Sequence, residues 1–150
     1  MKNEPLIREF MTLQPQSIEA KESLEAARNM MSMFDIRHLP VTTDGIVVGI
    51  LSQRELDLGL QIEVIDSKQL VVLDACSEKP YIANPDTPLR EVAEVMAREH
   101  FGSVIIMENA KLVGIFTTVD ACRALARMIE DDCIETNAKK IKRIRHGLRG

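Results

Sequence analysis

The sequence predicts a mixed α/β (α+β) fold of two similar units, related by a pseudo-twofold axis and each containing a small β-sheet flanked by helices. Three observations lead to this prediction. The chain aligns with itself without a gap at a shift of 65 residues, and each copy carries its apolar segments in the same order. Each copy also places a glycine, a hydroxyl residue and an acid at the same spacing, as GILSQRE in the first and GIFTTVD in the second. Because a unit of about 60 residues buries only a marginal core, we expect the two units to pack together.

The repeat sets the expected organisation of the chain. Residues 1–66 form the first repeat, 67–135 the second, and 136–150 a basic tail. Residues that match across the shift include Pro15 with Pro80, Leu24 with Leu89, Met31 with Met96, and Val48-Gly49-Ile50 with Val113-Gly114-Ile115.

Each repeat is expected to begin with a short apolar helix, at 6–11 and 71–76, followed by a short extended piece near 17–18 and 82–83. An amphipathic helix comes next, because apolar residues recur at helical spacing. These residues are Leu24, Ala27, Met30, Met31 and Phe34 in the first repeat and Leu89, Val92, Ala93, Met96 and Ala97 in the second. Thr87 is the predicted N-cap of the second of these helices, with Pro88 at its first position.

Two strands and a final helix complete each repeat. Strands are predicted at 39–42 and 46–51, joined by Asp44-Gly45, which favours a tight hairpin. Their counterparts are 103–107 and 111–116, with a turn at 108–110. The last helix of each repeat is expected to begin at Ser52 or Thr117.

The composition is that of an ordinary soluble globular protein, with 45% hydrophobic and 28% charged residues. No stretch approaches the roughly 18 apolar residues of a membrane span, and the charged N-terminus lacks the apolar run of a signal peptide. Three widely spaced cysteines, Cys76, Cys122 and Cys133, show no metal-ligand spacing and are expected to be reduced thiols. We therefore expect a cytoplasmic protein.

Charge is distributed unevenly along the chain. Residues 139–150 hold six of the 19 lysines and arginines and no acid, which leaves a formal charge of −10 on residues 1–138. Two interpretations of this tail stay open. It is either a solvated terminus or a helix, with Ile141 and Ile144 on one side, that binds nucleic acid or another anionic surface.

The repeated motif also has two interpretations. Ser52 with Glu55, and Thr117 with Asp120, have the spacing of a capping box that satisfies free backbone N–H groups at a helix start. The same groups suit a nucleotide, because a helix N-terminus attracts phosphate and a carboxylate can accept hydrogen bonds from two ribose hydroxyls. The two roles are compatible, since a carboxylate has two oxygens.

From about Leu6 to Ile129 the chain resembles a CBS-domain pair, or Bateman module. The resemblance rests on GILSQRE, GIFTTVD, the segment NPDTPLREVAEVMA and the repeated VVG/LVG strand. It implies two clefts between the units that bind AMP, ADP, ATP or S-adenosylmethionine as a regulatory ligand rather than as a cofactor.

The resemblance also implies the residues of each cleft. The preferred cleft is assigned to Ile82, Ala83, Val104, Ile106, Thr117 and Asp120, and the second cleft to Ser17, Ile18, Leu39, Pro40, Ser52 and Glu55. Ser52 and Glu55 depart from the preferred Thr and Asp, which is why the second cleft ranks lower. Arg37, His38, Arg54 and Arg123 fall near the clefts in sequence, where they are either solvated surface charges or cations that contact the phosphates of a ligand.

Catalysis is not expected, because the sequence shows no nucleophile–base pair, phosphate-binding loop or metal cluster. The predicted protein is a sensor that reports to an unknown effector protein or through its own assembly. The resemblance implies a homodimer, which we expect to form through apolar faces such as Leu24/Met30/Met31/Phe34 or Leu89/Val92/Met96.

Overall fold

The computed structural model describes residues 3–148 and contains two sheets, one for each repeat. The elements in chain order are a 3-10 turn (Ile7–Glu9), β1 (Thr12–Leu13), β2 (Ile18–Glu19), α1 (Leu24–Phe34), β3 (His38–Thr43), β4 (Ile46–Ser52), α2 (Gln53–Asp66), α3 (Val72–Ala75), β5 (Ile82–Ala83), α4 (Leu89–Glu99), β6 (Ser103–Glu108), β7 (Lys111–Thr117) and α5 (Thr118–Gly147). The strand orders are β2-β3-β4 and β1-β7-β6-β5. Since β4 and β7 occupy equivalent places, the predicted two-unit fold is confirmed.

The two hairpins have the same irregularities at equivalent positions. β3 pairs antiparallel with β4, and β6 with β7. The register shifts after Val41 in the first hairpin and after Ile106 in the second, which are 65 residues apart. Asp44-Gly45 and Asn109-Ala110 all have positive φ, as a tight hairpin turn of right-handed strands requires. The predicted strands and turns are therefore confirmed.

The repeats exchange their opening segments. Ile7, Phe10 and Met11 pack in the core of the second unit, and β1 joins its sheet beside β7. In the reverse sense, Val72 is fully buried in the core of the first unit. Each folded unit is thus built from both sequence repeats.

Equivalent backbone hydrogen bonds fix this exchange. The Ile7 N–H donates to the Thr87 carbonyl at 2.9 Å, and the Val72 N–H donates to the Glu22 carbonyl at 2.8 Å. Ser77 forms an isolated antiparallel bridge with Ile50, held by two 2.9 Å hydrogen bonds. The boundary between the sequence repeats therefore lies inside a chain segment that both units share.

Most of each amphipathic helix face belongs to the core of its own unit. Leu24 and Met31 of α1 are buried in the first core, and Val92 and Met96 of α4 are buried in the second. The apolar faces predicted to form a dimer interface are therefore used mainly inside the monomer. Met30 is half-buried and Phe34 is exposed, and the homodimer itself stays a prediction.

The predicted start of α4 is also wrong. The helix begins at Leu89, with Pro88 at the cap and no side-chain capping bond, whereas α1 is capped by Ser23, which accepts from the Ala26 N–H at 3.0 Å. Thr87 instead accepts a hydrogen bond from the Asn84 N–H at 3.2 Å, which stabilises the turn before the helix.

The last helix is twice as long as its counterpart, with 30 residues in α5 against 14 in α2. The basic tail is therefore helical as far as Gly147, and its last two residues lie outside the described chain. Within residues 3–148, no helix is both long and apolar enough to cross a membrane.

Candidate site between the repeats

Both repeated motifs form capping boxes. Ser52 is the N-cap of α2: its hydroxyl accepts from the Glu55 N–H at 3.2 Å, and Glu55 Oε2 accepts from the Ser52 N–H at 2.8 Å. Thr117 and Asp120 repeat these bonds at the start of α5, at 3.3 and 3.0 Å. The capping interpretation of both motifs is therefore confirmed, and any ligand must bind to helix ends that are already capped.

The first motif lies in a cavity of about 380 Å³ between the repeats. Its lining from the first repeat is His38, Ile50, Ser52, Arg54, Glu55 and Leu58. Its lining from the second is Ser77, Lys79, Pro80, Tyr81, His100, Phe101, Gly102 and Ser103. Both units therefore contribute walls to this cavity.

An adjoining cavity of about 620 Å³ extends along the start of α2 and adds Arg37, Gln53, Asp57 and Gln61 to the lining. The two cavities share His38, Ser52, Arg54 and Leu58, so they form one continuous groove. Of the four residues that the sequence places near the clefts as cations, Arg37, His38 and Arg54 line this groove, and Lys79 lines it from the second repeat. The charges of Arg37, Arg54 and Lys79 suit a ligand with negative charge.

Glu55 keeps one oxygen available in this groove. Its Oε2 accepts from the N–H of Ser52 and from the Ser52 hydroxyl, at 2.8 and 3.0 Å. Among the described residues, Oε1 has no hydrogen-bond partner, and the side chain is only partly buried. One carboxylate oxygen can therefore cap the helix while the other accepts from a ligand.

His38 is packed tightly at the junction of the repeats. A β-carbon placed on Gly102 would lie 3.1 Å from His38 Nε2, so a larger residue there would require the ring to shift by a few tenths of an ångström. Burial lowers the pKa of the imidazole; Glu55 opposes this shift and Arg37 adds to it. The neutral ring is therefore favoured in the folded protein.

The second motif is less accessible. Asp120 is only 7% exposed, and neither cavity of the groove includes Thr117 or Asp120. Asp120 Oδ2 accepts from the N–H and hydroxyl of Thr117, while Oδ1 lies 3.4 Å from Arg123 Nη1. Both oxygens of this carboxylate are thus engaged.

The structure groups the predicted residues differently from the sequence analysis. The expected companions of Ser52 and Glu55 were Ser17, Ile18, Leu39 and Pro40, none of which lines the cavity. Ser77, Lys79, Pro80, Tyr81 and residues 100–103 take their place, because the opening segment of the second repeat crosses beside β4. The side chains of Leu39, Val104 and Ile106 are fully buried in the two cores, which leaves only their backbone for any ligand. Ala83 is also buried, whereas Ile82 is half exposed.

Sequence reasoning missed the aromatic wall and one cation of the cavity. Tyr81 and Phe101 stack with their ring centroids 5.5 Å apart, and both line the cavity beside Lys79. Burial raises the pKa of the Tyr81 hydroxyl, so this ring is neutral at physiological pH. The sequence signal that could have identified them is their position: Tyr81 lies just before β5, and Phe101 lies two residues before β6.

Among residues 3–148, no group of three or more His, Cys, Asp or Glu side chains is placed to hold a metal ion. The thiols of Cys76, Cys122 and Cys133 are free.

Comparison with known proteins gives consistent findings. The family model described as "CBS domain" matches residues 7–58 and 72–127. The Bacillus subtilis protein YlbB is 31% identical over 117 residues, which are 76% of this chain and 78% of that protein.

Two solved structures have the same fold. The CBS domain pair of protein MJ0100, in complex with 5′-methylthioadenosine and S-adenosyl-L-methionine, has a TM-score of 0.75 at 20% identity and covers 84% of this chain and 99% of its own. CBSX2 in complex with AMP has a TM-score of 0.71 at 22% identity and covers 82% of this chain and 97% of its own.

Proposed function

We propose that this chain, which belongs to the CBS-domain family, is a regulatory module that binds an adenine nucleotide or S-adenosylmethionine. The ligand occupies the groove between the repeats, and its presence is reported to an effector protein or through self-assembly. The complexes of MJ0100 and CBSX2 support this ligand class, because both contain adenosine compounds.

One observation carries the proposal: Glu55 lines an inter-repeat cavity while its Oε1 has no partner among the described residues. A free carboxylate oxygen at a capped helix start can accept hydrogen bonds from the vicinal hydroxyls of a ribose. Ser52, at the N-terminus of α2, lies where backbone N–H groups and the helix dipole favour phosphate.

The rest of the cavity suits a nucleotide. Its volume of about 380 Å³ lies within the range of about 300–1,000 Å³ typical of small-molecule sites. Tyr81, Phe101 and Leu58 supply aromatic and apolar surface for a purine ring, and Arg54 and Lys79 supply positive charge for phosphates.

Two lines of evidence favour different clefts. The family pattern favours Thr117/Asp120, whereas accessibility favours Ser52/Glu55. We propose that the Ser52/Glu55 groove binds first, and that binding at Asp120 requires this carboxylate to separate from Arg123. The grouping of Asp120 with Ile82, Ala83, Val104 and Ile106 stays a prediction from the family resemblance.

The proposal is tested with a thermal-shift panel of AMP, ADP, ATP and S-adenosylmethionine, followed by titration calorimetry. A ligand at a hundred times its dissociation constant stabilises the folded state by about 2.7 kcal/mol if it binds only that state. Guanosine monophosphate is the control for the adenine ring. If no adenosine compound binds at millimolar concentration, the motifs are helix caps only and the proposal is wrong.

A further inference from the structure

The last part of α5 is exposed along its whole length. The helix runs from Thr118 to Gly147, and its residues up to 135 border a cavity of about 900 Å³ against the N-terminal segment, where Arg127 lies over the Phe10 ring and Ile134 is part of the lining. The 12 residues from Thr136 to Gly147 are all exposed and extend about 18 Å at the usual rise per residue. Since helices draw most of their stability from packing of an apolar face, such a segment needs a partner surface.

An apolar stripe follows one side of this segment. Its members are Ile134, Ile141, Ile144 and Leu148, each more than half exposed. With Asn137 they fall at successive spacings of three, four, three and four residues. This is the a/d pattern of a two-stranded coiled coil.

The charges at the two ends of this segment have opposite signs, so they favour two copies of α5 that run in opposite directions. Glu130, Asp131 and Asp132 precede the middle of the stripe, and Lys139, Lys140, Lys142, Arg143 and Arg145 follow it. Two parallel copies would place like charges side by side, which is destabilising. With Ile134 level with Ile144 of the second copy, two antiparallel copies bring Glu130, Asp131 and Asp132 of one level with residues 146–148 of the other, next to Arg145, so opposite charges meet at both ends of the pair.

We propose that the stripe of Ile134, Ile141 and Ile144 is a self-association surface, on which α5 of a second copy of this chain packs in the antiparallel sense. Ile134 then faces Ile144 of the second copy in two symmetric layers, and Asn137 faces Ile141 in the two layers between them. This interface does not depend on the proposed nucleotide site.

The first test is the mass of the full-length protein by sedimentation equilibrium. Ile141→Gln/Ile144→Gln removes the stripe without changing charge, and we expect it to halve the mass and to weaken association by at least about a hundredfold. The matched control is Thr136→Gln/His146→Gln, which changes two exposed positions away from the stripe and should keep the wild-type mass. If the stripe variant has the mass of the wild type, or if the control dissociates equally, the proposal is overturned.

The second test determines direction. In a background with all three cysteines replaced by serine, Ile134→Cys and Ile144→Cys proteins are oxidised separately and as a mixture. Antiparallel pairing predicts a disulfide-linked dimer only in the mixture, whereas cross-linking of each variant with itself contradicts the antiparallel arrangement. A third outcome also overturns the proposal: wild-type chains that stay apart and instead bind RNA through the basic residues, with strong dependence on salt.

Discussion

The two capped helix starts have the same hydrogen bonds in different surroundings. At Ser52/Glu55 the carboxylate is partly exposed and borders a groove that both repeats line. At Thr117/Asp120 the carboxylate is 7% exposed and is 3.4 Å from Arg123. The motif that fits the family pattern less well therefore has the more accessible oxygen.

The local motif therefore specifies a cap at both sites, whereas the surface opposite each cap differs, and in our proposal that surface determines whether the cap also binds a ligand. Tyr81, Phe101 and Lys79 supply that surface for Glu55. By the 65-residue shift, the positions equivalent to Tyr81 and Phe101 are Gln16 and Ile36, so the other end has no equivalent aromatic pair. The four predictions below concern this asymmetry between the repeats.

The first prediction concerns ligand affinity. Glu55→Gln keeps the shape of the side chain but removes its charge, so it should weaken binding of an adenine nucleotide by about tenfold to a hundredfold, the loss expected for a charge-assisted hydrogen bond. Asp120→Asn should have a smaller effect, because that carboxylate is already engaged. Titration calorimetry on the folded variants measures both.

Melting temperatures are the control for this pair, since each substitution also changes the third residue of a capping box. The opposite result, with Asp120→Asn abolishing binding and Glu55→Gln leaving it intact, would restore the sequence-based preference for the second motif.

The second prediction concerns the glycines where the exchanged segments cross the sheets. A β-carbon on Gly49 would lie 2.5 Å from the Ser77 carbonyl oxygen, whereas one on Gly114 would first meet the Met11 sulfur at 2.6 Å. A methionine side chain can move aside more easily than backbone. Gly49→Ala should therefore lower the free energy of unfolding by about 1–3 kcal/mol, and Gly114→Ala by less. Urea denaturation measures both; equal losses would show that the two crossings are equally rigid.

The third prediction concerns pH and His38, whose second-repeat equivalent is Ser103. Because the folded-state pKa is lowered, the unfolded chain binds a proton first as pH falls below the ordinary value of 6.5. The stability contributed by the neutral ring is present above that pH and is lost as pH falls towards the folded-state pKa. His38→Gln should therefore lose less stability than the wild type between pH 7 and 5. A variant with the same pH dependence as the wild type would show that His38 stays accessible to solvent.

The fourth prediction concerns the hairpin turns, which share positive φ at equivalent positions. Gly45→Ala should cost about 1 kcal/mol, because an L-residue is strained at that φ of 80°. Ala110→Gly should raise the free energy of unfolding by up to about 1 kcal/mol, because glycine relieves the strain at a φ of 61°. The gain is limited because glycine also adds conformational freedom to the unfolded chain. Thermal unfolding gives both signs, and a loss on Ala110→Gly would contradict this account.

The periodic parts of the fold could be predicted from sequence because local patterns determine them. The strands, both hairpin turns and the starts of α2 and α5 follow from alternation, turn residues and caps. Thr87 misled the prediction of α4, because its hydroxyl accepts from Asn84 in the preceding turn rather than from the helix.

The arrangement of the site could not be predicted, because it depends on contacts between distant segments. No local pattern places Lys79 and Tyr81 beside Ser52; the exchange that places Val72 in the first core does so. Leu39 and Val104, which the family resemblance assigns to the clefts, are equivalent strand residues whose side chains are fully buried in the two cores.

The exchange of opening segments also has a consequence for how the chain folds. Since Ile7 completes the second core and Val72 the first, neither core can form before residues far apart in sequence have met. Closing such long loops costs entropy before any burial offsets it, and a high contact order slows folding. The first core draws on residues from Ile18 to Val72, so during synthesis it can form once the exchanged segment has left the ribosome. The second core must wait for Ala124 and then recruit Ile7 from the other end of the chain, so the second half should form later and more slowly.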